Sequence, residues 1–146
     1  MTVHTVKHSA AKIIRPRPAP GGAPSRRAAR GRLRLERIQR ITEEQDVEKL
    51  FQAELAILYK HSPMCGISAV ALKEVEAFLG ERPHAGVWIV DVLAQRPLSQ
   101  RIAERAGIAH ESPQVILLQR GVPRWNESHY GITAAAIAEQ FRLARG

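Results

Sequence analysis

Three short apolar runs, separated by segments of helical periodicity, constrain the fold of this chain more than any other feature. The runs cover residues 56–59, 87–90 and 115–118, and each has the pattern of a buried strand. The segments between them repeat apolar residues at helical spacing. Strand–helix–strand units join parallel neighbours through right-handed crossovers. The pattern therefore predicts an α/β sheet with helices on both faces.

Two helices are expected between these runs. The first extends from Cys65 to about Leu79, with Gly80 near its end and the apolar positions Ile67, Ala71, Val75 and Phe78 on one face. The second begins at Pro97, a residue favoured in a first helical turn, and ends at Gly107. Each helix follows a predicted strand after a short loop.

Weaker signals complete the sheet at its two ends. Leu35, Ile38 and Ile41 favour a short first strand that ends at Thr42, and Thr42 with Gln45 fits a capping box for a helix. Residues 119–122 form a turn, and residues 124–128 return as a last strand.

Pro123 cannot donate to a ladder, so that last strand is expected at an edge of the sheet, before a final helix that starts at Thr133. The order is β-α-β-α-β-α-β-β-α, or the same without the uncertain first strand. A mixed sheet of four or five strands flanked by helices has thioredoxin-like topology.

The basic charge of the chain lies in its N-terminal segment. Residues 1–40 hold eleven of the 22 Lys and Arg but one of the 14 acids, so the rest is nearly neutral. Residues 1–34 are rich in Pro, Gly and Arg and are expected to be a disordered extension, followed by a domain over residues 35–146. The segment fits a solvated extension, a translation start placed too far upstream, a transit peptide or an electrostatic arm.

A single cysteine excludes a disulfide framework and any multi-cysteine zinc site. No apolar run approaches the length of a membrane span, and no secretory signal follows the N-terminal charges. We therefore expect a cytoplasmic protein with no membrane partner. Contact with nucleic acid is expected only as non-specific binding by the basic segment.

Cys65 is the one candidate nucleophile, although a lone cysteine is more often an inert buried residue. It follows a buried strand and begins a helix, where free backbone N–H groups and the helix dipole favour a thiolate. Such placement typically lowers a thiol pKa to roughly 3.5–7.5. Lys60 and His61 in the strand–helix junction are expected to add positive potential. Ser68 either donates a hydrogen bond to the thiolate or caps the helix.

Ser112 and Pro113 directly precede the third apolar run. Pro113 is either a trans residue that starts the strand or a cis-proline that exposes a backbone edge to an incoming peptide or thiol. Of the remaining candidates, Trp125 on an edge strand is usually a packing residue. His129 in a loop is usually solvated.

Several short motifs in register resemble the YtxJ-type monothiol bacilliredoxins over about residues 35–142. The motifs are Tyr59-Lys-His-Ser62, Cys65 with Ser68, Val90-Asp-Val92 with Arg96 and Ser99, His110-Glu-Ser-Pro-Gln114, and Ser128-His129 followed by Ile132-Thr133. The resemblance implies a thioredoxin fold and removal of bacillithiol from S-bacillithiolated client proteins. It also implies that the protein binds no cofactor and uses bacillithiol as a co-substrate.

The resemblance assigns the nucleophile to Cys65, the position before the cis-proline to Ser112, and the cis-proline to Pro113. It also makes a substrate-binding role for His129 more plausible. Ser68 stands where a resolving thiol would be, so no intramolecular disulfide forms. Gly66 departs from the family, which commonly has proline after the nucleophile, and the Arg-rich N-terminal segment lies outside the family pattern.

Two other functions remain open. Cys-Gly-Ile-Ser at residues 65–68 resembles the Cys-Gly-Phe-Ser of monothiol glutaredoxins, which share an iron–sulfur cluster with glutathione as an extra ligand. The Gly-Gly turn that clamps glutathione in that family is absent, since residues 127–131 read Glu-Ser-His-Tyr-Gly. The third alternative is a catalytically silent thioredoxin-like binding module.

Overall fold

The computed structural model describes residues 25–27 and 37–146. Over the second range the strands are β1 (Ile38–Arg40), β2 (Leu55–His61), β3 (Val87–Asp91), β4 (Gln114–Gln119) and β5 (Val122–Ser128). The helices are α1 (Glu44–Gln52), α2 (Gly66–Glu81), α3 (Arg96–Ala106) and α4 (Ala134–Arg145), with a 3₁₀ turn over His129–Gly131. The expected order of elements is confirmed, including the first strand. The predicted extension over residues 1–34 lies almost wholly outside the described residues.

The five strands form one mixed sheet in the order β1-β3-β2-β4-β5. The first three in that order are parallel, whereas β4 runs antiparallel to both β2 and β5. β5 lies at an edge, as expected from Pro123, which falls inside the strand next to an irregularity in the ladder. The α/β class with thioredoxin-like topology is thereby confirmed.

Alternation along β2 sends side chains into two separate cores. Ile57 and Tyr59 pack with α2 and α4 on one face, which we call the α2 face. Ala56 and Leu58 pack with α1 and α3 on the other, the α3 face. Because successive strand residues point to opposite faces, Lys60 belongs to the α3 face and His61 to the α2 face.

One edge of the sheet collects the segments that carry chemistry. Lys60 near the end of β2 pairs with Val90 near the end of β3 and with Gln114 at the start of β4. The loop after β2 and the segment before β4 therefore meet at the same edge. This register brings the Cys65 region and the Ser112–Pro113 region together.

The start of the domain differs in detail from the sequence expectation. The first strand ends at Arg40 rather than Thr42, and the capping box uses Glu43 and Asp46 rather than Thr42 and Gln45. Oδ2 of Asp46 accepts hydrogen bonds from the backbone N–H groups of Thr42 and Glu43 at 2.9 and 3.1 Å. An aspartate one turn into the helix binds two N–H groups at once, which favours this register over the predicted one.

The β4–β5 hairpin turns through Arg120 and Gly121, both with positive φ. That pairing is typical of a two-residue turn whose twist matches antiparallel strands. A Cβ at Gly121 would lie 2.8 Å from the carbonyl oxygen of Phe51, so the close approach also requires glycine. Among the described residues, no helix is long and apolar enough to cross a membrane.

Candidate functional site

Cys65 is the N-cap residue of α2, which begins at Gly66. Its backbone is extended, with φ −112° and ψ 124°, and its N–H donates to the carbonyl of Ser62 at 3.2 Å. The side chain is partly exposed and the thiol is free. The predicted placement of the cysteine at the start of a helix is confirmed.

Backbone N–H groups of the first helical turn lower the pKa of the Cys65 thiol. The largest contribution comes from the N–H of Ser68, followed by that of Ile67, and the Ser68 hydroxyl adds to both. These donors hydrogen-bond to the charged form of the sulfur and so favour the thiolate. Neither Lys60 nor His61 contributes to this shift.

Ser68 is fully buried beneath the cysteine and links two parts of the site. Its Oγ accepts a hydrogen bond from the backbone N–H of Ser62 at 3.2 Å, while its hydroxyl stabilises the Cys65 thiolate. Of the two roles left open for Ser68, its contribution to the lowered pKa of Cys65 favours the first. No side-chain cap by Cys65 itself is present.

Tyr59 fixes the position of His61. The phenol donates to the carbonyl oxygen of Ser68 at 2.7 Å and lies 3.2 Å from Nδ1 of His61. A carbonyl cannot donate, so the single phenolic hydrogen goes to Ser68 and Nδ1 of His61 carries a proton. Burial lowers the pKa of His61, and the ring is therefore neutral at pH 7. Its Nε2 remains as an acceptor, and His61 adds polarity rather than positive charge.

The structure corrects the expectation that Lys60 adds positive potential at Cys65. The Lys60 side chain is fully buried on the α3 face, with Nζ 3.1 Å from Nδ1 of His110. α2, which carries Cys65, packs on the other face of the sheet. A residue at the end of a strand has the right sequence position, but its direction is set by the alternation of side chains.

Pro113 is buried at the entrance to β4, and its peptide bond with Ser112 is cis. Its carbonyl accepts a hydrogen bond from the backbone N–H of His129 at 3.1 Å. The 3₁₀ turn that begins at His129 packs against α2, so Pro113 is tied to the helix that carries Cys65. His129 itself is exposed and has a left-handed backbone with φ 53°. Of the two alternatives for Pro113, the cis form is confirmed.

Ser112 offers unsatisfied polar groups at this edge. Its side-chain Oγ is buried and has no hydrogen-bond partner within the described part of the chain. The β4–β5 ladder starts one residue after Pro113, with Gln114 opposite Ser128, so Ser112 lies outside the ladder. An extended strand or an adduct that reaches this edge finds a backbone outside the ladder to bind, with the buried Ser112 hydroxyl behind it.

Trp125 takes no part in this arrangement. It lies opposite Leu117 in the β4–β5 ladder and packs against the core of the α2 face, which agrees with its interpretation as a packing residue. Sequence reasoning named Tyr59 and His110 only as motif residues. It assigned no role to Tyr59, which orients His61, or to His110, which contacts Lys60. The period-two alternation from Ala56 to Lys60 was the available signal for the direction of Lys60.

Comparisons with known proteins agree with this geometry. The family model described as "Monothiol bacilliredoxin BrxC" matches residues 37–137. A solved structure described as an oxidoreductase with a thioredoxin fold shares 28% identity at a TM-score of 0.69, over 74% of this chain and 96% of that one.

Two thioredoxins are similar in fold. The thioredoxin of Trypanosoma brucei brucei has 11% identity and a TM-score of 0.61, over 72% of this chain and 88% of its own. That of Fasciola hepatica has 18% identity and a TM-score of 0.58, over 73% and 98%. Fold, family model and the thiol at the start of α2 together support thiol oxidoreductase chemistry. The chain belongs to the monothiol bacilliredoxin family.

Proposed function

We propose that this protein removes bacillithiol from mixed disulfides on client proteins, with Cys65 as the nucleophile. The observation that carries the proposal is the position of Cys65 at the start of α2. Hydrogen bonds from the backbone N–H groups of Ser68 and Ile67 lower the pKa of its thiol there. A thiol in such surroundings ionises at lower pH than a free cysteine, and the thiolate is the attacking species. The bacilliredoxin family model supports the choice of thiol.

The exchange proceeds by attack on sulfur. The Cys65 thiolate attacks the bacillithiol sulfur of the mixed disulfide, the client's sulfur–sulfur bond breaks, and the client thiolate leaves and takes a proton from water. Cys65 is then disulfide-bonded to bacillithiol. Because the chain has one cysteine, a second thiol molecule must reduce this adduct. Attack by a second bacillithiol on the sulfur of the first gives bacillithiol disulfide and free Cys65.

Groups around Cys65 suit a polar thiol. Bacillithiol carries a sugar and a malate, so it requires hydrogen-bond partners near the sulfur. Nε2 of His61, the exposed side chain of His129 and the backbone of Ser112, which lies outside the β4–β5 ladder, are available at this edge. We assign these residues to binding of the thiol, and the backbone beside Pro113 to its sulfur-bearing arm.

Exposed apolar side chains beside Cys65 suit a protein client. Met64 directly precedes Cys65 and is 85% exposed, and Tyr130 in the neighbouring 3₁₀ turn is 76% exposed. Exposed large apolar groups grouped around a reactive residue favour contact with another protein. We therefore propose S-thiolated proteins as partners, with a free low-molecular-weight thiol as the reductant.

The proposal is tested by changing only the thiol cap, that is, the low-molecular-weight thiol joined to the client's cysteine. One client protein is prepared with bacillithiol or with glutathione on the same cysteine, and release of each cap is followed with wild type and Cys65→Ser. Bacillithiol should leave at least tenfold faster, about 1.4 kcal/mol in transition-state binding. Cys65→Ser should release neither. Equal rates, or faster release of glutathione, would contradict bacillithiol specificity.

A further inference from the structure

A cavity of about 220 Å³ opens on the α3 face of the sheet, and none of its lining residues belongs to the helix that carries Cys65. It is lined by Val92, Leu93, Arg96, Ser99, Gln100 and His110. A water molecule takes up about 30 Å³ of liquid volume, so a ligand of several heavy atoms fits. Its wall belongs to the loop after β3, the first turns of α3 and the loop before Pro113.

Lys60 stands behind this wall as a buried cation. Its side chain has no exposed surface, and its ammonium group contacts Nδ1 of His110 at 3.1 Å. A buried ammonium normally has a carboxylate partner. Within residues 37–146, no carboxylate lies at ion-pair distance from Lys60 or from Arg96.

The contact with Lys60 fixes how His110 can bind a ligand. A charged Lys60 only donates, so Nδ1 of His110 accepts and the ring proton lies on Nε2. Ser99, also buried, has its Oγ 3.5 Å from the same Nδ1 and lines the cavity with His110. The polar groups at the wall are therefore mainly donors: an imidazole N–H, a hydroxyl and the guanidinium of Arg96.

Asp91 does not neutralise this cluster. Asp91 at the end of β3 follows the alternation of Val87 and Ile89 and therefore lies on the α2 face. Its Oδ1 accepts hydrogen bonds from the backbone N–H groups of Leu93 and Ala94, both at 2.9 Å. The cavity thus combines a buried positive charge, a second cation and directed donors, without an acid of its own.

We propose that this cavity is a binding site for the carboxylate group of a small organic acid. The carboxylate would lie between Arg96, Ser99 and Nε2 of His110, with Lys60 behind the imidazole as the compensating charge. The site does not use Cys65 and does not depend on thiol exchange. Two sources share this chemistry: a free carboxylic acid, or the malate arm of bacillithiol.

Binding is tested on the full-length protein with L-malate as the probe and its neutral diamide as the control. NMR follows the His110 imidazole while each compound is added. L-malate should give a saturable shift and the diamide none. Arg96→Gln should weaken malate at least tenfold, whereas Arg101→Gln, which removes an exposed charge from the same helix, should change it less than twofold. Lys60→Met should also weaken binding tenfold, with its fold checked by thermal unfolding.

The outcomes separate this site from the proposed function. Cys65→Ser should bind malate as wild type does, even if exchange itself proves to be absent. If malate slows release of bacillithiol from a client protein but does not slow release of cysteamine, the ligand of the site is the malate arm of bacillithiol. If malate binds but slows neither release, the ligand is a free carboxylic acid. No saturable shift, an equal shift with the diamide, or equal losses in Arg96→Gln and Arg101→Gln would overturn the site.

Discussion

The side-chain oxygen of Ser68 accepts a hydrogen bond from the backbone N–H of Ser62 at 3.2 Å. The bond joins the first turn of α2 to the loop that carries Cys65. The same hydroxyl contributes to the low pKa of the Cys65 thiol. One buried serine thus fixes the loop and stabilises the thiolate.

Replacing Ser68 with alanine should therefore affect both stability and reactivity. The half-buried N–H of Ser62 would lose its partner, which typically costs about 1–3 kcal/mol. The pKa of Cys65 should rise only in part, because the N–H groups of Ile67 and Ser68 remain. Urea unfolding and a pH series of thiol alkylation measure the two effects. A variant unchanged in both would contradict the role of the hydroxyl.

The thiol of Cys65 should ionise at lower pH than an ordinary cysteine. A lowered pKa means that the thiolate, and hence the alkylation rate, appears at lower pH than in a reference peptide. Iodoacetamide labelling from pH 5 to 10, with a short cysteine peptide treated in parallel, measures the difference. An inflection at or above that of the peptide would remove the case for a poised nucleophile.

Lys60 should make stability depend on pH. Burial lowers the pKa of its ammonium from 10.5 to about 8, so between these values the unfolded chain binds more protons than the folded one. Stability therefore rises with pH across this window. The pKa of His110 is lowered below 6.5, so His110 is neutral there and does not mask the effect. The shift corresponds to roughly 3 kcal/mol at 1.36 kcal/mol per pH unit.

The matched comparison is Lys60→Met, which keeps the length of the side chain without its charge. The free energy of unfolding of wild type, minus that of the variant, should increase from pH 7.5 to pH 10.5 in buffer free of carboxylates. Urea unfolding at each pH gives both values. A difference that stays constant or falls would show that Lys60 is not a desolvated cation.

Gly66→Pro should stabilise the protein without changing the pKa of the Cys65 thiol. Gly66 is the first residue of α2, a Cβ there would meet no atom within 4 Å, and the extended backbone of Cys65 suits a residue before proline. Gly66→Pro should raise the free energy of unfolding by about 0.4–1 kcal/mol. Gly66→Ala serves as the control. A Gly66→Pro variant less stable than wild type would contradict the interpretation of residue 66 as a first helical position that accepts proline.

Alkylation of Gly66→Pro gives a second check. Its pH profile should match that of wild type, since the N–H groups that stabilise the thiolate belong to Ile67 and Ser68.

The sequence was sufficient for the order of elements and for the position of Cys65 at the start of a helix. Buried strands carry nearly continuous apolar runs, and a cysteine between such a run and a helical segment is placed at the start of that helix. The cis bond at Pro113 remained one of two alternatives, because both isomers are compatible with a proline before a strand.

Side-chain direction was harder to predict than position. Helical spacing suggested Ile67 as an inward residue, but its neighbour Ser68 is more deeply buried, and Ser99 in α3 is buried as well. Both serines hydrogen-bond in polar clusters, and that compensation depends on tertiary contacts. Lys60 was assigned to the wrong face for a related reason, since its partner His110 lies 50 residues away.

The central claim is that Cys65 takes the thiol cap from a client protein. It is tested most directly by intact-mass measurement after one turnover with a bacillithiolated client and no free thiol. The predicted result is wild-type protein heavier by one bacillithiol joined through a disulfide, client lighter by the same group, and Cys65→Ser unchanged. A client that keeps its cap, or a free client with no adduct on Cys65, would contradict the account.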